Sequence, residues 1–246
     1  MTVYILAQDD RVGSLNRRAA VLGFQALGEE VREFEDVEFD DLPLEREDIV
    51  VGGISYARRA FTRLGLEVAH LDPIPQALLP FAGRRIWQDT MGQVRSRVNA
   101  GETLFVKPAP DRPKSFDGAV LSTFRDLIPT AHLADDLIVD CAEPVNFLSE
   151  YRTFIRHGDV ISVRPYKGEP LVFPDPDMIR NVVAAFAEGP AAYALDVGVT
   201  EDGRSLIVEI NDAYACGAYG LFPIQYAMFI RARWEELWRV GQLRQG

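Results

Sequence analysis

Three oxygen-bearing side chains in the last quarter of the chain have the type and spacing of a divalent-cation site. Residues 192–213 read AYALDVGVTEDGRSLIVEINDA, two apolar-rich runs flanking Asp202-Gly203. Asp-Gly favours a tight hairpin turn because Gly accepts positive φ. A hairpin centred there sets Asp196 directly opposite Glu209. Strand alternation then adds Gly198, Thr200, Ile207 and Asn211 to the same face. Leu195, Val197, Val199, Leu206, Val208 and Ile210 form an apolar face behind it. Two carboxylates opposed across strands repel. A hard cation such as Mg²⁺, or Mn²⁺ in its place, offsets that repulsion, with Asp196, Glu209 and Asn211 as ligands. The other reading is a solvated polar face whose acids never meet. A slip of one residue in register would separate them.

A second pair of runs carries the opposite charge. Residues 151–155 and 160–164 read as strands joined by a turn at His157-Gly158-Asp159, which sets Arg152 opposite Arg164. Opposed like charges are unfavourable unless an anion lies between them. Lys107 follows the apolar run Leu104–Val106. Burying an unpaired ammonium is costly, so either a phosphate partner or an edge position reaching solvent is needed. Lys114 and Gly118 lie in a Pro/Gly-containing loop able to fold over phosphates, although it is not a Walker-type loop. A cation with a polyphosphate satisfies the acid pair and the arginine pair together.

The elements that position these residues begin with an α/β pattern. Residues 3–7 and 48–53 are buried-strand runs, and Glu30–Phe34 alternates like a strand. Ser14 can cap a helix with Leu15, Ala19, Leu22 and Leu27 at helical spacing. A basic helix is expected over Tyr56–Leu64 and a further strand over Leu66–Leu71. Strands alternating with helices predict a parallel sheet. Gly52-Gly53 reads as a turn. Asp72-Pro73-Ile74-Pro75 reads as a linker, dividing the chain into a small α/β domain, 1–75, and a second domain, 76–246. Residues 77–99 read as an interrupted helix whose Arg84, Arg85, Arg95 and Arg97 face solvent or substrate. Leu137–Val145 is another strand, and Gly220–Leu243 an amphipathic closing helix packed on the core.

Composition narrows the classes. The 246 residues are 48% hydrophobic, enough for a sizeable core. No apolar run approaches the ~20 residues of a membrane helix, and MTVYILAQDD lacks signal-peptide character, so a cytoplasmic location and no membrane partner are expected. A net charge of −11 argues against nucleic acid as a partner. The two cysteines, Cys141 and Cys216, have no metal-site spacing. No Ser/His/Asp or Cys/His set for covalent catalysis is evident.

Lys107 in FVKP, Glu150 and Arg152 in SEYR, Arg164 in VRPY, and Asp196 with Glu209-x-Asn211 together resemble the ATP-grasp family, and within it the small clade named for two arginines and one lysine. The resemblance covers about residues 85–230. It implies an α/β N-terminal domain followed by an α+β fold of two subdomains with antiparallel sheets that grip ATP. It further implies that Lys107 contacts phosphates. Cys141, Glu143 and Val145, in the strand Asp140–Val145, would lie at the adenine-facing hinge. Glu150 would be a ribose or hinge-side contact, Arg152 and Arg164 would face phosphates or an acyl-phosphate, and Asp196, Glu209 and Asn211 would hold Mg²⁺. The implied activity is ATP-dependent joining of a small-molecule or peptide carboxylate to an amine. A nucleotide-binding module without turnover and a phosphotransferase are the alternatives. Where relatives carry a further lysine this chain reads RRIWQDT, with Arg85 or Lys114 as substitutes, and after Asn211 it reads DAYACGAYGL rather than Pro-Gly.

Overall fold

The computed structural model describes residues 1–7, 11–109 and 116–243; Lys114 lies outside the described residues. The first apolar run forms β1 (Thr2–Leu6), which lies between β2 (Glu30–Phe34) and β3 (Ile49–Val51) in a parallel sheet. β1 and β3 are apolar runs because both faces are covered, with α1 (Arg11–Ala26) and α2 (Ile54–Arg63) packed on them. α1 starts before Ser14, which is therefore inside the helix rather than its cap. Its buried face is Ala20, Gly23 and Phe24, while Leu15 and Leu22 are exposed. Gly23 gives the reason. A Cβ there would sit 2.0 Å from the Pro223 carbonyl oxygen, so the small-residue face takes the contact with α6 (Pro223–Leu243).

The expected strand at Leu66–Leu71 does not form. Gly65 adopts φ +66 and the Leu66 N–H donates to the Phe61 carbonyl at 2.8 Å, which closes α2 and buries Leu66. The chain then leaves the sheet as an irregular connection that contains residue 75 only just before a 3₁₀ turn, Gln76–Phe81. α6 returns from the far end of the chain to complete the first core, where Phe229, Ile230 and Trp234 meet Phe24 and Phe61.

Two antiparallel sheets follow. The second runs in the order β4 (Ile86–Thr90), β7 (Ile138–Ala142), β5 (Leu104–Pro108), β6 (Ala119–Leu121), with α3 (Met91–Asn99) and the short α4 (Phe124–Leu127) against it. The helix expected across 77–99 is thus a 3₁₀ turn, a strand and a helix. Val94 and Val98 carry genuine helical spacing, but Ile86–Thr90 pairs residue by residue with β7, a partner no local pattern announces. The third sheet runs β11 (Ser205–Asp212), β10 (Ala192–Thr200), β8 (Phe147–Arg156), β9 (Asp159–Gly168). Leu195, Val197, Ile207 and Ile210 pack against Ile179 and Val182 of α5 (Pro176–Ala185) on one face, while Ala192 and Ala194 on the other join Phe154 in the first core. The chain crosses from the second sheet to the third once, through residues 143–146. Among the described residues no helix is long and apolar enough to cross a membrane.

Candidate functional site

The turn after β10 is wider than a two-residue hairpin. The Thr200 N–H donates to the Arg204 carbonyl at 2.9 Å and the Gly203 N–H to the Thr200 carbonyl at 2.9 Å, leaving Glu201, Asp202 and Gly203 outside the ladder. A β-bulge then inserts Val208 between the pairs Val197–Ile207 and Asp196–Glu209. The two departures offset each other, so Asp196 does face Glu209. They do not offset for Ile207, which turns into the apolar cluster with Leu195 and Val197 instead of sharing the polar face.

The β8–β9 hairpin behaves in the same way. His157 (φ 51) and Gly158 (φ 81) form a two-residue turn, as the mirror-image turns of hairpins require. A bulge between Phe154 and Ile155 restores the register in which Arg152 faces Arg164. β8 also lies beside β10, with Arg152 opposite Asp196. Arg164, Arg152, Asp196 and Glu209 therefore form one row across all four strands of the third sheet, two cations followed by two anions.

The row is already partly neutralised. Arg152 grips Asp196 through Nε–Oδ1 at 2.8 Å and Nη2–Oδ2 at 2.7 Å. Burial disfavours the Arg152 cation, but the bonded Asp196 carboxylate more than restores it and the guanidinium stays charged. Burial pushes the Asp196 carboxyl up despite that grip, and repulsion from Glu209 and Glu150 adds to the shift. Burial acts on Glu209 in the same sense, yet Lys107, the Asn211 amide and Arg152 outweigh it and hold that carboxyl below its ordinary value. Lys107 reaches Glu209 from the second sheet, Nζ–Oε2 2.9 Å, so one ion pair spans the two antiparallel sheets. Asn211 Nδ2 donates to Asp196 Oδ2 and Glu209 Oε1, both at 3.3 Å.

These contacts test the fit of a cation. Asp196, Glu209 and Asn211 already converge on a common point, and burial pushes the Asp196 carboxyl up even against the Arg152 fork. Exchanging the Asn211 amide nitrogen for its oxygen, two atoms nearly identical in size and geometry, would present three oxygens there. Among the described residues no three His, Cys, Asp or Glu converge in this way; the third group here is an amide.

Other expected site residues are engaged elsewhere. The Arg164 Nε is buried with no hydrogen-bond partner among the described residues. Glu150 is buried and accepts from Tyr166 Oη at 2.7 Å and from Lys167 Nζ, so its carboxylate is engaged within the third sheet rather than free for a ribose. Cys141 pairs with Trp87 on one side and Val106 on the other, and its thiol sits in the core of the second sheet, where burial pushes it up to about 12. Glu143 and the half-buried Val145 lie in the connection between the sheets, with Glu143 Oε2 accepting the Arg85 N–H at 3.0 Å. The Arg85 guanidinium stacks 4.8 Å from the Trp87 ring.

Sequence patterns missed the aromatic walls. The Arg152 guanidinium lies 4.4 Å from the Tyr219 ring centre and 5.7 Å from that of Tyr166. Tyr219 holds φ 45, a left-handed conformation uncommon outside glycine and found where the surroundings enforce it. Asp212, beside Asn211, is gripped by Arg233 of α6 at 2.8 and 2.7 Å, which ties the end of β11 to the closing helix. The isolated positions of Tyr219 and Arg233 carry no periodic signal; the Gly-rich run around Tyr219 was the only hint.

The Lys107–Glu209 pair keeps 24% and 31% of its side chains exposed, so it contributes at most about 1 kcal/mol. Lys107→Met should leave the unfolding midpoint nearly unchanged while weakening ATP binding, as read by thermal unfolding and calorimetric titration. Lost stability with intact ATP affinity would make Lys107 a brace between the sheets instead.

Residues 81–229, more than half of the chain, match a family model for the ATP-grasp domain, the second family of the clade named for two arginines and one lysine. No curated protein matches the sequence. Among solved structures, a RimK domain ATP-grasp protein from Sphaerobacter thermophilus is 15% identical over 95% of this chain and 97% of that chain, with a TM-score of 0.60. The D-cycloserine synthetase DcsG is 12% identical over 96% of this chain and 100% of that one, with a TM-score of 0.63. A D-alanine–D-alanine ligase from Bacillus anthracis, solved in complex with ATP, is 12% identical over 99% of both chains, with a TM-score of 0.57. At these identities the likeness establishes a shared fold.

Proposed function

Because the chain belongs to the ATP-grasp domain family, in its two-arginine, one-lysine clade, we propose that it is an ATP-dependent ligase that joins a carboxylate to an amine through an acyl-phosphate. The observation that carries this reading is the row Arg164–Arg152–Asp196–Glu209, with Lys107 reaching into it from the facing sheet. The row offers an acidic end for a divalent cation and a basic end for phosphate oxygens. The names of two structural relatives, a D-cycloserine synthetase and a D-alanine–D-alanine ligase, support ligation.

Asp196, Glu209 and Asn211 would hold Mg²⁺, which supplies charge neutralisation for a bound triphosphate. Lys107, released from Glu209, would turn to the phosphates, and Arg164 would offer its unpartnered Nε to the transferring group. Arg152 stays locked to Asp196 and fixes that carboxylate's direction. A substrate carboxylate oxygen attacks the γ-phosphorus as the bond to the ADP oxygen breaks. The amine then attacks the acyl carbon, phosphate leaves, and the amine loses a proton. The chain's own residues contribute positioning and charge rather than a covalent nucleophile. The acid is a small molecule or a peptide.

The test is incubation with MgATP and a mixture of carboxylic acids and amines, followed by nucleotide and mass analysis. ADP with an amide product is the expected result. ADP with a phosphorylated product would make the protein a phosphotransferase, and nucleotide binding without ADP would make it a binding module.

A further inference from the structure

β11 is an edge strand, and the bulge at Val208 decides which of its side chains share a face with Asp196. Carbonyls of consecutive residues in a regular strand point to opposite edges. A bulge interrupts that alternation, and here the Ile207 and Val208 carbonyls both reach one guanidinium on the outer edge. Arg84 Nη1 donates to Ile207 O at 2.7 Å and Nη2 to Val208 O at 3.0 Å, while Nη1 also holds its own segment through Ala82 O at 3.0 Å. Neighbouring contacts press this segment onto the strand. Gly83 lies so close to Leu206 that a Cβ would stand 2.4 Å from it, and the Ile210 N–H donates to the Pro73 carbonyl at 2.7 Å.

From the turn to Val197 the ladder runs in one register, and beyond the bulge in another. Continued without the bulge, the first register would set Val208 opposite Asp196 and Glu209 opposite Leu195, turning the Glu209 carboxylate into the apolar cluster behind the sheet. We infer that Arg84 is a positioning residue for the cation site, its planar fork clamping the bulge that delivers Glu209 and Asn211 to Asp196. A lysine cannot substitute fully, because a point charge does not span two carbonyls. The inference rests on the ligase reading for its consequence in catalysis, but not for its geometry.

Two measurements on the full chain test it. The first is cross-strand nuclear Overhauser contacts in the wild type, Arg84→Lys and Arg84→Met without any ligand. Contacts between the backbones of Asp196 and Glu209 are expected in the wild type and should be lost in Arg84→Met, with contacts from Glu209 to Leu195 in their place. The second is the Mn²⁺ dependence of ADP binding by calorimetry. Arg84→Met should raise the Mn²⁺ concentration needed by ~10-fold or more, in the range seen when groups supporting metal ligands are removed, with Arg84→Lys between it and the wild type. Should Arg84→Met fail to fold, Arg84→Lys keeps the charge and still loses the fork. Intact Asp196–Glu209 contacts with an unchanged Mn²⁺ requirement in the folded variants overturn the inference, even where unfolding shows lower stability, since that is what a plain structural brace would give. A wild type that binds no Mn²⁺–ADP would sink the ligase reading, while the backbone contacts would still decide the role of Arg84.

Discussion

Arg152→Met should destabilise the protein by about 3–5 kcal/mol, the usual cost of leaving one partner of a buried ion pair behind. The side chains of Arg152 and Asp196 are only 11% and 3% exposed. Removing the guanidinium strands Asp196 beside Glu209 with no cation against it. Urea unfolding at neutral pH reads the loss. The deficit should shrink as the solution is acidified. With burial raising the Asp196 carboxyl and Arg152 no longer opposing it, the native state of the variant binds a proton more tightly than the unfolded chain. Stability of that variant relative to the wild type then rises as pH falls through the native pKa towards the ordinary carboxylate value. Combining Arg152→Met with Asp196→Leu should recover much of the stability, because two apolar groups of similar volume need no pairing, but no ATP turnover should return. A deficit below about 1 kcal/mol at neutral pH, the range of exposed pairs, would show that the fork seen here is not held in solution.

Glu209→Gln should act oppositely, on turnover far more than on the fold. The side chain is 31% exposed and the amide keeps its shape, and its loss of charge relieves repulsion on Asp196. The unfolding midpoint should hold or rise slightly. kcat/KM for ATP consumption should fall at least ~100-fold, the upper end for loss of groups that merely support a metal ligand, with a higher Mg²⁺ requirement. Near-normal turnover at an unchanged Mg²⁺ requirement would remove Glu209 from the cation site and with it the ordering of the row.

The hairpins were legible in the sequence because they are local. A β-strand turns alternate side chains to one face, so a turn position and a two-residue period opposed Asp196 with Glu209 and Arg152 with Arg164, a register the structure reaches only because a different turn and a bulge offset each other in each hairpin. The parallel sheet of the first third and the closing helix follow from equally local signals. What no local pattern carries is which hairpin lies beside which. Only the pairing of β8 with β10 lines up the two charge pairs in one row and gives Arg152 to Asp196 instead of leaving it for an anion. The same is true of Ile86–Thr90, whose strand state is imposed by β7, and of Leu66–Leu71, which finds no strand partner among the described residues. Ile207 is the clearest case. Its period placed it on the face of Asp196 and Glu209; a turn of three residues places it in the core, and the bulge at Val208, contacted by Arg84 from outside the hairpin, returns Glu209 to Asp196. Periodicity reports the backbone's own geometry; contacts between distant segments decide where that geometry is broken, and here the breaks set the site.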